Sequence, residues 1–73
     1  MTGLPVKRSV LVAGHATSVT LETEFWDCLK EMALARGLSI NQLVAEIDSA
    51  RVGNLSSAIR VFVLNDLKKQ TAG

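Results

Sequence analysis

The sequence predicts a mainly α-helical protein of the α+β class, in which two short strands precede three helices. Residues 7–13 end in a short apolar run and residues 16–21 largely alternate between polar and apolar residues, and both patterns are typical of strands. From Phe25 the apolar residues recur at helical spacing until Gly37. A helix-capping pattern then begins at Ser39, with Gln42 three residues later. These observations predict the order of the elements.

The 73 residues are expected to form one domain, residues 1–73, with a small aliphatic core. Hydrophobic residues make up 48% of the chain and aromatic residues 4%. This composition predicts a globular chain rather than a disordered one. A chain of this length buries only about 60% of the surface of its unfolded form. We therefore expect a second subunit to extend the core.

Net charge indicates no particular partner, whereas the single cysteine and the lengths of the apolar runs favour the cytoplasm. Eight Lys and Arg against seven Asp and Glu leave a net charge of +1, so charge alone indicates neither nucleic acid nor an anionic membrane as a partner. Cys28 has no second cysteine for an internal disulfide, which favours a reducing compartment. The apolar run at residues 10–13 is too short for a signal peptide. No segment approaches the roughly 18 apolar residues that span a bilayer.

The predicted strands cover residues 7–13 and 16–21, and residues 1–6 form a flexible arm before them. Glycine at the first position of a two-residue loop suits a type II′ turn, so Gly14 and His15 are predicted to connect the strands. A loop of two residues also determines which residues of the two strands lie opposite each other.

The predicted register gives the hairpin two different faces. Ala13 is expected opposite Ala16, and Val10 opposite Val19. The residues expected to pack on the core are Val10, Val12, Thr17, Val19 and Leu21. The residues expected to face a ligand or solvent are mostly small and all uncharged: Ser9, Leu11, Ala13, Ala16, Ser18 and Thr20.

The first two helices are predicted from their caps and apolar stripes. The first begins after Glu22 or Thr23 and ends at Gly37, which suits the left-handed residue after a helix. Its apolar stripe contains Phe25, Leu29, Met32 and Ala33. The second begins with the capping box of Ser39 and Gln42 and runs to about residue 51. Its buried side contains Ile40, Leu43, Val44 and Ile47.

A third helix is predicted over about residues 55–69, with Asn54 or Ser56 as its cap. Its apolar residues cover most of its circumference, so we expect it to be buried on two sides. Residues 59–64 are rich in β-branched residues, and a strand is the alternative there. Residues 70–73 are expected to fray.

No catalytic or metal site is predicted. The chain has one histidine, one cysteine and no tyrosine, and no motif combines a nucleophile, a base and an orienting residue. We therefore expect no enzyme activity, no metal and no cofactor. His15, beside Gly14, is expected to bond to local backbone, and a nucleic-acid contact is the alternative.

Two short motifs carry a resemblance to a known family. Residues 14–18 read GHATS, and residues 54–58 read NLSSA. Together with the strand at 18–21 and the turn at 36–41, they resemble the ribbon-helix-helix family of DNA-binding repressors. The likeness is greatest to a short bacterial subgroup marked by GHxTS and NLSSA. The x of that motif is usually basic, whereas here it is Ala16.

The resemblance implies a ribbon-helix-helix homodimer that binds double-stranded DNA and regulates transcription, with an extra N-terminal strand and a third C-terminal helix. In that family, two chains pair their strands into one antiparallel ribbon. The outward residues of this ribbon read bases in the major groove, and the second helix begins at a phosphate. By position, the base-contacting residues are Ala16, Ser18 and Thr20. The phosphate-contacting residues are Ser39, Ile40 and Asn41.

Other residues are assigned to the same complex. The basic arm offers Lys7 and Arg8 to phosphates, and His15 is a further candidate for a phosphate contact. The resemblance implies that the helices of two chains interlock into one core, and the expected dimer-core residues are Val19, Leu21, Phe25, Leu29, Met32, Leu43, Val44 and Ile47.

The extra strand leaves a second function open. If both strands of each chain joined one dimeric sheet, its four strands would span about 15–20 Å, which exceeds the width of a major groove of about 12 Å. The same dimeric fold would then serve as a protein-interaction module. An antitoxin-like arrangement, in which a tail binds a toxin, is less consistent with the short tail.

Overall fold

A computed structural model describes residues 4–51 and 53–72, apart from the side chain of residue 72. It confirms the predicted fold class, with a two-stranded antiparallel sheet followed by three helices. The elements are β1 (Pro5–Val12), β2 (His15–Glu22), α1 (Thr23–Ala35), α2 (Ile40–Ala50) and α3 (Leu55–Ala72). Residues 1–3 of the predicted arm and residue 73 of the predicted tail lie outside the described residues.

The hairpin turn differs from the prediction. The two loop residues are Ala13 and Gly14, with φ of 53° and 81°, and His15 already belongs to β2. Positive φ at both positions is the mark of a type I′ loop, whose twist matches the twist of paired strands. The predicted type II′ loop at Gly14 and His15 is therefore wrong. Strand β1 also begins earlier than predicted, at Pro5, within the arm expected at residues 1–6.

The different turn changes which residues of the two strands lie opposite each other, but every side chain stays on its predicted face of the sheet. Val10 lies opposite Thr17 rather than Val19, and Val12 lies opposite His15. Each partner has shifted by two residues, and an even shift returns every side chain to the same side of the sheet. The inner face is accordingly apolar, with Val10, Val12, Val19 and Leu21 buried. Thr17 shares that face by register yet is exposed.

Helix α1 begins and ends where the sequence predicts. Its N-cap is Glu22, although the carboxylate makes no capping hydrogen bond. At the other end Gly37 adopts φ of +71°. The Leu38 N–H donates to the Ala33 carbonyl at 2.9 Å, and the Gly37 N–H donates to the Leu34 carbonyl at 3.1 Å. This pair of bonds is a Schellman motif, which satisfies carbonyls that the helix end leaves open.

The capping box of α2 is confirmed in both directions. The Gln42 N–H donates to Ser39 Oγ at 3.0 Å, and the Ser39 N–H donates to Gln42 Oε1 at 2.8 Å. Helix α3 has Asn54 as its cap, because the Ser57 N–H donates to Asn54 Oδ1 at 2.8 Å. The helix continues to Ala72, past the predicted end near residue 69, and the strand alternative for residues 59–64 is wrong.

One chain encloses its own core. Seven of the eight residues expected in a dimer core are buried within the single chain, and Phe25 is partly buried. They are core residues of the chain itself, and their contribution to a subunit interface stays a prediction. The core also contains Ile59 and Val63 of α3. The other side of α3 is open, with Val61 56% exposed and Leu64 53% exposed, so the expectation of two buried sides is wrong within one chain.

Candidate nucleic-acid interface

The hairpin presents an uncovered outer face on the side away from the core. The β2 residues of this face are Ala16, Ser18 and Thr20, the three expected base-contacting residues, and all three are exposed. Across the strands they face Leu11, Ser9 and Lys7 respectively. The outer face is therefore defined by six exposed residues: Lys7, Ser9, Leu11, Ala16, Ser18 and Thr20.

A side chain at the start of α2 forms a hydrogen bond with a backbone group on the unpaired edge of β1. Residues flanking a two-residue loop form a hydrogen-bonded pair, so the alternation along the ladder directs the Leu11 N–H away from β2. That N–H donates to Asn41 Oδ1 at 3.2 Å. An exposed edge amide thereby gains an acceptor, and the α2 N-terminus is held beside the turn end of the outer face.

The start of α3 closes the free edge of β2 near the opposite end of the hairpin. The Thr20 N–H donates to Ser56 Oγ at 3.0 Å, and Arg60 Nη2 donates to the Thr20 carbonyl at 3.0 Å. Arg60 also pairs with Glu22, with 3.0 Å between Nε and Oε1. The hydrogen bond from Arg60 lowers the pKa of the Glu22 carboxyl below its ordinary value of 4.5. The ionised Glu22 carboxylate is thus paired with a cation where β2 meets α1.

The α2 N-terminus keeps backbone donors for an anion. The capping box uses the N–H groups of Ser39 and Gln42. The N–H groups of Ile40 and Asn41 remain as first-turn donors outside the box, at the positive end of the helix dipole. The Ile40 side chain packs on the core, so this residue offers its backbone to a ligand rather than its side chain. Asn41 is already oriented by its bond to Leu11.

The predicted basic contacts do not lie together. Neighbouring residues of a strand point to opposite faces, so Lys7 lies on the outer face and Arg8 on the inner one. The Arg8 guanidinium carbon lies 4.8 Å from the centre of the Trp26 ring, in a cation–π contact, and Arg8 Nε is buried without a hydrogen-bond partner in the described structure. His15 is opposite Val12 and shares the inner side. The outer face thus brings together Lys7 with the three expected base readers, whereas Arg8 and His15 lie on the other side.

Two residues that organise this surface were not predicted for that role. Ser56 was expected as a possible helix cap, and Arg60 carried no expectation. Their bonds to Thr20 span 36 and 40 residues of sequence. No local pattern signals a contact over such a separation, so only the packed structure brings them to the strand edge.

The described residues were also searched for a metal site, a membrane-spanning helix and a groove. They contain no group of three or more His, Cys, Asp or Glu side chains arranged to hold a metal ion. None of the helices described is long and apolar enough to cross a membrane. A groove of about 420 Å³ lies between α2 and α3, and its lining includes Ile47, Ala58, Val61 and Phe62.

Comparison with known proteins identifies the fold and a structural neighbour. A family model described as a ribbon-helix-helix domain matches residues 5–67. A solved structure of an uncharacterized protein from Bordetella pertussis Tohama I is similar, with 33% sequence identity and a TM-score of 0.81. The match covers 94% of this chain and spans 60% of the length of that one. No curated protein matches the chain.

Proposed function

The chain belongs to the ribbon-helix-helix domain family, and on that basis we propose that it is a DNA-binding protein that regulates transcription in a bacterial cytoplasm. The observation that carries this proposal is the open outer face of the hairpin, with Ser18 and Thr20 exposed and the α2 N-terminus held at its edge. No enzyme activity is proposed. The proposal extends the typical role of the family to this chain.

The dimensions of the hairpin support insertion into the major groove. Neighbouring strands lie about 5 Å apart, and a two-stranded ribbon fits a groove about 12 Å wide. The hydroxyl groups of Ser18 and Thr20 can donate to or accept from base edges, and the Ala16 methyl can contact the methyl group of thymine. These side chains are short, so the backbone of the ribbon lies close to the bases.

The α2 N-terminus is proposed to contact a phosphate of the DNA backbone. Its donors are the N–H groups of Ile40 and Asn41, which point out of the first turn along the positive end of the helix dipole. The capping box holds the turn in shape without using these two groups. Such a contact would position the hairpin on the duplex without reading its sequence.

We propose that the protein acts as a homodimer whose hairpins do not pair side by side. A four-stranded sheet would be wider than the groove, and the edge of β2 is already closed at Thr20 by Ser56 and Arg60. The exposed apolar residues of α3, which include Val61 and Leu64, provide a surface for the second subunit away from the hairpin.

The test measures binding to genomic DNA fragments at several salt concentrations. Binding should weaken steeply as salt rises, because each phosphate contact releases counterions. Replacing Ser18 and Thr20 with Ala should reduce sequence preference more than total affinity. Thr17→Ala is the matched control, since Thr17 is exposed on the same strand but belongs to the inner side. The absence of salt-sensitive binding at low ionic strength would contradict the proposal.

A protein-interaction module is the second candidate function. It is favoured by Leu11, which is 53% exposed on the outer face, and by a net charge of only +1. In this case a partner should remain bound after nuclease treatment of the cell lysate. Leu11→Ser should release it, whereas Leu34→Ser, a substitution of an 81% exposed leucine on α1, should not.

A further inference from the structure

The free edge of β2 carries backbone groups that do not bond to β1. Along an antiparallel ladder, pairs that exchange backbone hydrogen bonds alternate with pairs that do not. Residues that flank a two-residue loop form a bonded pair, so the residues that direct their N–H and carbonyl groups to the free edge include Ala16, Ser18 and Thr20. A row of such groups can pair with a strand from another chain unless the fold covers it.

Helix α3 covers this edge at one residue. The Thr20 N–H donates to Ser56 Oγ at 3.0 Å, and Arg60 Nη2 donates to the Thr20 carbonyl at 3.0 Å, so both edge groups of Thr20 are in use. Glu22 orients the Arg60 guanidinium, with 3.0 Å between Nε and Oε1. Among the described residues, the helix bonds that reach the free edge of β2 go to Thr20. The remainder of the edge is open.

The first turn of α3 is attached to the core less firmly than the turns that follow. Ile59 and Val63 anchor the helix, and both are 0% exposed. Leu55, beside Ser56, is only partly buried. A segment with few buried contacts opens locally at low cost. The first turn can therefore move away from β2, and the Arg60 side chain can rotate away, while the two anchoring residues stay in the core.

A second copy of the same edge fits it well. When two β2 strands lie antiparallel about a twofold axis at Ser18, Ser18 lies opposite its counterpart and Ala16 lies opposite Thr20. Each of these pairs can exchange both of its backbone hydrogen bonds. The side chains are small and uncharged, so no like charges lie opposite each other. This register requires the backbone groups of Thr20, which α3 occupies.

We propose that Ser56 and Arg60 form a latch on the free edge of β2. In the closed arrangement the latch holds Thr20 and keeps two hairpins from pairing side by side. When the latch opens, the β2 strands of two copies pair antiparallel along this edge. The latch goes beyond the proposed function, because it controls association of the chain with a second copy and does not depend on DNA binding.

The experiment measures the association constant by analytical ultracentrifugation for the unmodified chain and for the double variant Ser56→Ala with Arg60→Met. Methionine keeps an apolar side chain without donors. Each net backbone hydrogen bond changes an equilibrium constant roughly 2- to 12-fold. Freeing both groups of Thr20 should therefore raise the association constant about 5-fold or more. Arg36→Met is the matched control and should cause no change, because Arg36 also bonds to α3 but reaches Asp66, at 3.3 Å, rather than β2.

A proline on the edge separates strand pairing from association of unfolded chains. The Ser18 N–H points to the free edge, so Ser18→Pro removes no bond to β1 and places the proline ring where a second strand would pair. Added to the double variant, Ser18→Pro should return the association constant to the value of the unmodified chain. Circular dichroism verifies that each variant is folded. Arg60→Met alone frees the Thr20 carbonyl and should give a smaller increase, which remains measurable if the double variant does not fold.

Two results would overturn the latch. One is an association constant that is unchanged or lower in the folded latch variants. The other is a raised association constant that persists when Ser18→Pro is added, because the contact then lies elsewhere. Salt-sensitive DNA binding is measured separately on the unmodified chain, so its absence would contradict the proposed function and leave the latch standing.

Discussion

Helix α3 should stabilise the single chain through one side only, and two substitutions on that helix separate its two sides. Ile59 is fully buried, with 0% of its surface exposed, whereas Leu64 is 53% exposed. Replacing a buried isoleucine with alanine removes its transfer free energy and leaves a cavity, which costs about 2–5 kcal/mol. A domain of this length has a total stability of roughly 4–11 kcal/mol. Ile59→Ala should therefore remove a large part of the free energy of unfolding.

The assay is urea unfolding followed by circular dichroism at low micromolar protein concentration. Leu64→Ala should change the free energy of unfolding by no more than about 0.5 kcal/mol, because an exposed side chain loses little contact. Ile59→Val should cost about 0.5–1.5 kcal/mol and remain measurable if Ile59→Ala does not fold. An unchanged slope against urea would show that the unfolded state exposes the same surface.

Equal costs for Ile59→Ala and Leu64→Ala would refute the described orientation of α3. Repeating the measurement at tenfold higher protein concentration adds a further comparison. If Leu64 lies in a subunit contact, the unfolding midpoint of the unmodified chain should rise with concentration, because association stabilises the folded state. The midpoint of Leu64→Ala should then rise less.

Three further predictions concern the turn, a cap and an ion pair. Ala13→Asn should raise the free energy of unfolding by about 0.5–1 kcal/mol, because Asn tolerates the positive φ of this position better than Ala, as thermal unfolding can verify. Ser39→Ala should lower it by about 1 kcal/mol through loss of the cap, a fall in melting temperature of roughly 4–8 °C. The folded Glu22 carboxyl has a pKa below 4.5, so the stabilisation by its pair with Arg60 is fully present above that pH and is lost as the pH falls through the folded pKa. Melting temperatures measured from pH 7 to pH 2 should fall less in Glu22→Gln than in the unmodified chain.

Features set by neighbouring residues could be predicted from the sequence. The capping box at Ser39 and the helix end at Gly37 each depend on a few residues, and both lie where the sequence placed them. The two faces of the hairpin were also predicted, because an even shift in register leaves side-chain direction unchanged. The candidate base-contacting residues, which include Ser18 and Thr20, are consequently exposed on one face of the hairpin, as the sequence predicts.

Features that depend on backbone conformation or distant contacts were missed. The turn prediction preferred glycine at the first loop position, whereas the chain adopts positive φ at Ala13 as well. Lys7 and Arg8 are expected to act together as a basic arm, whereas both residues pair within β1, where neighbouring side chains point to opposite faces. Arg60 reaches β2 across 40 residues, which sequence periodicity does not encode.

The two edge bonds of the hairpin make it a reporter of helix detachment. The amides of Leu11 and Thr20 point away from the strand ladder, so their protection from hydrogen exchange depends on Asn41 of α2 and Ser56 of α3. Exchange at Leu11 therefore measures local opening of α2, and exchange at Thr20 measures local opening of α3. Two amides of one small sheet thus give separate opening free energies for two helices, without any substitution in either helix.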